Sequence, residues 1–156
     1  MKLIVVANWK CNPVTQIEAE RLFDTAKKGV INVKNVEIVI CPPFLYIPSL
    51  ITQSSPLTFG AQDCFYEQSG AYTGGVSPVM LKEIGCEYVI IGHSERRYYF
   101  CETDEMINKK LLAVLKARLK PIFCVGEKEG EEINLVVKEQ IEKGLKDINK
   151  AKIENL

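Results

Sequence analysis

Short apolar runs alternate with amphipathic stretches along the chain, and this alternation constrains the fold more than any other feature of the sequence. The clearest apolar run is Tyr88–Ile91, which lacks the polar and apolar alternation of a strand with one face in water. A run of this kind is typical of a strand that is covered on both faces, as in a parallel sheet flanked by helices. Because strand-like and helix-like stretches alternate five times, we expect an α/β fold in which right-handed crossovers join parallel strands.

Local signals place five strands and five helices. The predicted strands are residues 3–7, 37–41, 57–62, 88–91 and 121–125. The predicted helices are residues 15–28, 49–53 and 79–84, a helix that begins after Thr103, and a last helix at 131–146. Thr15 and Glu18 form a capping box at the start of the first helix. Gly29 and Gly85 are expected to end the first and third helices.

The helices in the second half of the chain also carry clear signals. Ser77 and Pro78 supply an N-cap and a first-turn proline for the third helix. The helix after Thr103 is expected to bury one face, made of Ile107, Leu111, Val114 and Leu115. The last helix is expected to bury one side, made of Ile133, Val136, Val137, Ile141 and Leu145.

His93 is the only histidine, and it follows the apolar run Tyr88–Ile91 directly after Gly92. Functional groups of parallel α/β sheets gather at the carboxyl ends of the strands, so His93 lies where a substrate would be met. A histidine that caps a turn and bonds to the backbone is the alternative interpretation. The glycine-rich stretch 63–76 is a further candidate, because loops of this length are usually functional or disordered.

The charge balance and the length of the apolar segments argue against several classes of protein. Twenty Lys and Arg residues balance twenty Asp and Glu residues, and neither sign forms a long block. This distribution argues against a nucleic acid partner. The apolar start, residues 3–7, is too short for a signal peptide, and no segment is long enough to cross a membrane. We therefore expect a cytoplasmic protein with a single domain over residues 1–156.

The cysteines indicate neither a disulfide framework nor a metal site. The six of them include no Cys-x-x-Cys pair and no neighbouring histidine; they lie at positions 11, 41, 64, 86, 101 and 124. We expect reduced thiols that pack like small apolar residues.

Three segments resemble the triosephosphate isomerase family. The sequence GHSERR at 92–97 is similar to the signature of that family, NWKCN at 8–12 resembles its amino-terminal substrate-binding segment, and CVGE at 124–127 resembles the end of its fifth strand. The segments follow one another in the order and spacing of the family. The resemblance therefore covers the whole chain, 1–156.

The resemblance decides between two architectures that the alternation leaves open, a doubly wound open sheet and part of a closed barrel. Neither a Gly-x-Gly-x-x-Gly fingerprint nor a P-loop favours the open sheet. The family fold is the TIM barrel of eight β/α units, which takes about 250 residues. The resemblance thus implies an α/β fold that is an incomplete, open-edged barrel of five strands, the amino-terminal portion of a (β/α)8 barrel.

The resemblance also implies an activity, the interconversion of dihydroxyacetone phosphate and glyceraldehyde 3-phosphate through an enediolate, in glycolysis and gluconeogenesis. It assigns His93 as the electrophile; this family is itself the standard example of a histidine kept neutral by a helix amino terminus. Lys10 is implied as the cation for phosphate and developing charge, and Asn8 as a second substrate-binding residue. Glu95 would hold Lys10 and shuttle a proton, or else it is only a carboxylate at a helix start. No metal or organic cofactor is expected.

Supporting roles follow from the same resemblance. Ser94 is open between capping and catalytic support, Glu127 is a supporting residue, and Thr73 lies in a loop that resembles the dimer loop of the family, so a homodimer is implied. Arg96 and Arg97 are expected to be ion-pair partners rather than substrate ligands.

The general-base glutamate of the family, its lid and its later phosphate-binding residues have no counterpart in this sequence. We therefore expect little activity from these 156 residues alone. The alternative is a non-catalytic half-barrel that self-associates or binds sugar phosphate without turnover.

Overall fold

The computed structural model describes residues 3–149. Its strands are β1 (Leu3–Asn8), β2 (Val36–Cys41), β3 (Thr58–Ala61), β4 (Tyr88–Ile91) and β5 (Lys120–Phe123). Its helices are α1 (Gln16–Val30), α2 (Ile47–Ile51), α3 (Pro78–Glu83), α4 (Ser94–Tyr99), α5 (Asp104–Lys116) and α6 (Ile133–Gly144), and a short 3-10 turn (Phe44–Tyr46) precedes α2. Strands and helices alternate as predicted, except that two helices follow β4; the first of them, α4, was not predicted from the sequence.

The five strands form one parallel sheet in the order β1-β2-β3-β4-β5. A doubly wound sheet reverses its strand order at a switch point, whereas the strands of a barrel follow one another in sequence. The observed order therefore excludes the doubly wound alternative and confirms the incomplete TIM barrel.

The sheet has two faces with different cores. Helices cover the outer face, where Phe23, Ile47, Leu81 and Leu111 are completely or almost completely buried. The inner face carries a smaller cluster made of Val39, Cys41, Tyr88 and Ile90, with Ile122 and Cys124 packed against it. Residues of opposite parity on the same strand reach the two clusters, as the alternation of side chains along a strand requires. Tyr88–Ile91 is buried over its whole length, as predicted.

The two edges of the sheet differ from its centre. Within residues 3–149, β1 pairs only with β2 and β5 only with β4. Four consecutive apolar residues of β1 are exposed by 37–71%; they are Leu3, Ile4, Val5 and Val6. An exposed, unpaired and apolar edge strand offers its hydrogen-bonding groups to another chain.

Local capping signals are confirmed, but three helix predictions are wrong in part. The side chains of Thr15, Ser77 and Thr103 cap α1, α3 and α5. Gly85 has a φ of +100° and follows the end of α3, as predicted. Gly29 does not end α1, because that helix continues to Val30, which packs against the outer core.

The prediction for the last helix also needs correction. Ile133 and Ile141 are exposed, while the buried residues of α6 are Gln140 and Gly144. A side chain at Gly144 would overlap the Phe123 ring, so this close approach to β5 selects glycine rather than an apolar side chain. The short helix predicted at 49–53 lies instead at Ile47–Ile51, with a proline in its first turn.

Four cysteines pack against the apolar clusters, the half-buried Cys124 among them, and two do not. Cys41, Cys64 and Cys86 are buried, and desolvation raises the pKa of the first two thiols to about 12 and that of Cys86 to about 11. Cys11 and Cys101 are exposed, which corrects the expectation of uniformly packed thiols. In the described part of the chain, no helix combines the length and apolar character needed to cross a membrane.

Candidate active site

The end of β1 places Lys10 in an unusual backbone conformation. Lys10 has a φ of +55°, a left-handed region that costs energy for a residue with a side chain. Its N–H donates to Oδ1 of Asn8 at 2.9 Å. Trp9 continues the sheet pairing by donating its N–H to the Cys41 carbonyl at 3.1 Å. Asn8 therefore helps to shape the backbone that presents the lysine.

The end of β4 places His93 at the amino terminus of α4. Gly92 makes the turn with a φ of +76°, and a Cβ there would lie 3.1 Å from the Cys124 carbonyl oxygen. His93 is the N-cap of α4, and its Nδ1 accepts the backbone N–H of Glu95 at 3.3 Å. A ring nitrogen that accepts carries no proton, so this contact corresponds to the tautomer with its proton on Nε2.

Lys10 and Glu95 form an ion pair that joins the ends of β1 and β4. Lys10 Nζ lies 2.7 Å from Glu95 Oε1, and Oε2 of the same carboxylate lies 3.6 Å from His93 Nδ1. The hydrogen bond from Lys10 is the main cause that holds the pKa of Glu95 below its usual range. The fold thus brings together three predicted site residues that are as much as 85 positions apart in the chain (95 − 10).

The lowered pKa of Glu95 leads to a test of this ion pair. The pair is present at neutral pH and is lost as the pH falls through the lowered pKa, because the protonated carboxyl no longer attracts the ammonium. We expect Lys10→Met to raise the pKa of Glu95 towards its ordinary value, so that protonation begins at a higher pH. NMR titration of carbon-labelled glutamate measures this shift, with Lys34→Met, at an exposed position, as the control. A Glu95 titration that is the same in both variants would contradict the assignment.

Arg96 and Arg97 form ion pairs, as predicted. Arg97 donates Nε to the Gly92 carbonyl at 2.9 Å and pairs through NH1 with Asp104 at 2.6 Å, which fixes the turn in front of His93. Ser94 is exposed and does not cap α4, because His93 occupies that position. The structure therefore leaves Ser94 without the capping role that the sequence allowed.

Glu127 and Thr73 take no part in the ion pair of Lys10 and Glu95. Glu127 is exposed after β5 and lines a cleft that Glu95 and Tyr98 also line. Thr73 is exposed in the segment between β3 and α3, which is held by a hydrogen bond from Phe65 N–H to the Val76 carbonyl at 2.8 Å. This segment is long and irregular but packed against itself.

Sequence reasoning missed a group of four charged side chains beside α4. We call this group the buried ion cluster; it consists of Asp63, Arg96, Glu102 and Lys110. Lys110 Nζ donates to both oxygens of Asp63, at 2.7 and 2.9 Å, and also to Glu102. Arg96 contacts both of these carboxylates, Asp63 at 3.0 Å. The cluster joins the second residue after β3, the helix α4 with the turn that follows it, and the helix α5.

The charges of the buried ion cluster balance, two against two, which is how a protein keeps buried charges ionised. Burial raises the pKa of Asp63, and Lys110 and Arg96 oppose that effect. One signal in the sequence could have revealed the cluster. Lys110 lies three residues after Ile107 and next to Leu111, on the apolar face of α5, where a solvated lysine is not expected.

Gln62 is a second residue that sequence reasoning missed. It follows β3, and its side-chain amide donates to the carbonyls of Lys10 and Cys41, both at 2.8 Å. No local signal distinguishes this glutamine from a surface residue, because its partners lie 52 and 21 positions away.

Comparison with known proteins identifies relatives along nearly the whole chain. The family model described as triosephosphate isomerase matches residues 3–156. The chain is 47% identical to the triosephosphate isomerase of Dictyoglomus turgidum, over 98% of this chain and 64% of that protein. It is 48% identical to that of Aquifex aeolicus, over 84% of this chain and 53% of that protein, and 45% identical to that of a Thermoanaerobacter species, over 98% and 63%.

This chain spans less than two thirds of the length of these curated relatives. The family model nevertheless covers all but its first two residues. Together with the sequential parallel sheet, this match shows that the chain belongs to the triosephosphate isomerase family.

Proposed function

We propose that this chain supplies the electrophile and the substrate-binding lysine of a triosephosphate isomerase, which interconverts dihydroxyacetone phosphate and glyceraldehyde 3-phosphate through an enediolate. The observation that carries the proposal is the arrangement of Lys10, Glu95 and His93 at the carboxyl ends of β1 and β4. The relatives named triosephosphate isomerase support the same reaction.

The neutral His93 suits the transition state of this reaction. As a proton moves between adjacent carbons, negative charge develops on the substrate oxygen, and a fixed hydrogen-bond donor lowers the energy of that charge. Nδ1 of His93 accepts from the helix, so Nε2–H is the donor that remains for the substrate. We therefore assign His93 as the catalytic electrophile.

Lys10 adds a positive charge to the same site. Its ammonium can bind the phosphate dianion and stabilise the developing enediolate. Glu95 holds the ammonium in place at 2.7 Å, and this contact favours the positioning role that the resemblance implies. Asn8 accepts from Lys10 N–H through Oδ1, which leaves its amide N–H groups for the substrate.

The reaction also needs a general base. Glu95 is engaged by Lys10, and the resemblance assigns Glu127 to support, so we place the base and the remaining phosphate contacts in a later part of the barrel. We also propose a cytoplasmic homodimer that acts in glycolysis and gluconeogenesis. The exposed Thr73 loop supports the dimer, because the apolar side chains of Tyr72 and Met80 are exposed beside one another there.

The test compares two lengths of the protein, because the relatives are longer than this chain. At its full encoded length, the protein is expected to convert dihydroxyacetone phosphate to glyceraldehyde 3-phosphate, and Lys10→Met is expected to abolish most of that turnover. Residues 1–156 alone are expected to be at least about a hundred-fold slower, because general base catalysis contributes about 10²–10⁴-fold. A coupled spectrophotometric assay measures all three proteins.

Light scattering on the same samples measures the second part of the expectation. Residues 1–156 alone should self-associate, since β1 exposes an apolar edge. Absence of turnover at full encoded length would refute the proposed isomerase, and a monodisperse, fully active 1–156 would refute the need for further strands.

A further inference from the structure

We infer that Gln62 is a positioning residue of this site, which holds Lys10 in its left-handed conformation and sets its distance from Glu95. The inference rests on the proposed function for its kinetic consequence, because Lys10 is the substrate-binding cation in that proposal. The geometry on which it stands is independent of any activity.

The side-chain amide of Gln62 uses both of its donors on two backbone carbonyls. Nε2 donates to the Lys10 carbonyl and to the Cys41 carbonyl, each at 2.8 Å. An amide nitrogen has two N–H groups, so both are satisfied. The end of β3 thereby holds the chain at the ends of β1 and β2 in a fixed position.

Lys10 needs such a restraint. Its φ of +55° is unfavourable for a residue with a side chain, and a conformation of this kind persists only when surrounding contacts enforce it. Within residues 3–149, two side chains bond to the backbone of Lys10: Asn8 accepts from its N–H at 2.9 Å, and Gln62 donates to its carbonyl. Without Gln62, the Lys10 carbonyl would lose the side-chain amide that donates a hydrogen bond to it.

The next residue along the chain connects to the other half of the site. Asp63 is buried and contacts Arg96 of α4 at 3.0 Å and Lys110 of α5 at 2.7 Å. Glu95 also lies on α4. Two consecutive residues after β3 therefore contact the two sides of the ion pair: Gln62 bonds to the backbone of Lys10, and Asp63 contacts the helix that carries Glu95. The two segments that carry this 2.7 Å ion pair are thus both anchored to the chain after β3.

A glutamine is specifically required for this role. A methionine of similar length has no donor, and a glutamate presents oxygens to two carbonyl oxygens, which repel it. Because a displacement of about 1 Å in a positioned group can cost about a hundred-fold in rate, we expect Gln62→Met to lower kcat/KM by about 10- to 100-fold.

The test is a double-mutant cycle on the protein at its full encoded length. Gln62→Met, Lys10→Met and the double variant are assayed with dihydroxyacetone phosphate, and Gln68→Met, in the exposed part of the same segment, is the matched control. If Gln62 acts through Lys10, its replacement should change kcat/KM by less than about 3-fold once Lys10 is already methionine. Equal effects in both backgrounds, or a Gln62→Met variant that behaves like Gln68→Met, would overturn the inference.

An NMR titration of Glu95 supplies a readout that does not depend on activity. Displacement of Lys10 in Gln62→Met should raise the pKa of Glu95 towards the value found in Lys10→Met, whereas Gln68→Met should leave it lowered. If Gln62→Met does not fold, Gln62→Glu takes its place in both measurements. A wild-type protein without turnover refutes the proposed function, while an unshifted Glu95 in the Gln62 variants refutes the positioning role.

Discussion

Replacing His93 with glutamine is expected to lower kcat by about 10²–10⁴-fold in the protein at its full encoded length, the range that a positioned acid or base contributes. KM should change much less, because the Nε2–H of the imidazole stabilises charge that exists only near the transition state. Steady-state kinetics with dihydroxyacetone phosphate and with glyceraldehyde 3-phosphate measure both constants. In the proposed reaction, the loss should be similar in the two directions, since both directions share one enediolate.

The structure provides a control for this substitution. His93 also caps α4 through Nδ1, and a glutamine can accept the same N–H, so the helix should persist. Tyr98→Phe removes a polar group from an exposed side chain of the same helix and should leave kcat unchanged. Small and equal changes of kcat and KM in His93→Gln would show that His93 only caps α4 and does not act as the electrophile.

Lys110→Met is expected to destabilise the protein by about 3–5 kcal/mol, the cost of removing one partner from a buried ion pair. Lys110 is 2% exposed and serves both Asp63 and Glu102, so its loss leaves two buried carboxylates with Arg96 as their remaining cation. One oxygen of Glu102, Oε2, is already buried without a hydrogen-bond partner within residues 3–149. Urea denaturation at neutral pH measures the free energy of unfolding.

The pH dependence gives the same prediction a second test. Burial already raises the pKa of Asp63, and without Lys110 that pKa should rise further above its value in the unfolded chain. When the pKa of an acid is higher in the folded protein than in the unfolded chain, the protein loses stability as the pH rises. The loss of stability in Lys110→Met, relative to the wild type, should therefore be smaller at pH 5 than at pH 7. Lys116→Met, at an exposed position of the same helix, is the control. A Lys110→Met protein as stable as this control at both pH values would show that the buried ion cluster contributes little.

The features that could be predicted from the sequence are those that depend on near neighbours. Thr15, Ser77 and Thr103 cap helices by accepting an N–H three residues later, so the residue types themselves specify the helix start. The alternation of strands and helices follows from periodicity in the same way. The resemblance of residues 92–97 to a family signature predicts His93 and Glu95 as site residues.

The tertiary structure decided what depends on distant partners. Gly29 lies inside α1 because Val30 packs on the core, and Gln140 is buried on α6 because its amide pairs with the backbone of Gly126 at 2.9 Å. Gln62 reaches a carbonyl 52 positions away, and Lys110 reaches a carboxylate 47 positions away. No local pattern encodes such contacts, because they form only when the folded chain brings together segments that are distant in the sequence. Local patterns therefore predict most of the strands and helices, and the family resemblance predicts the catalytic candidates, while the folded sheet determines which side chains hold those candidates in place.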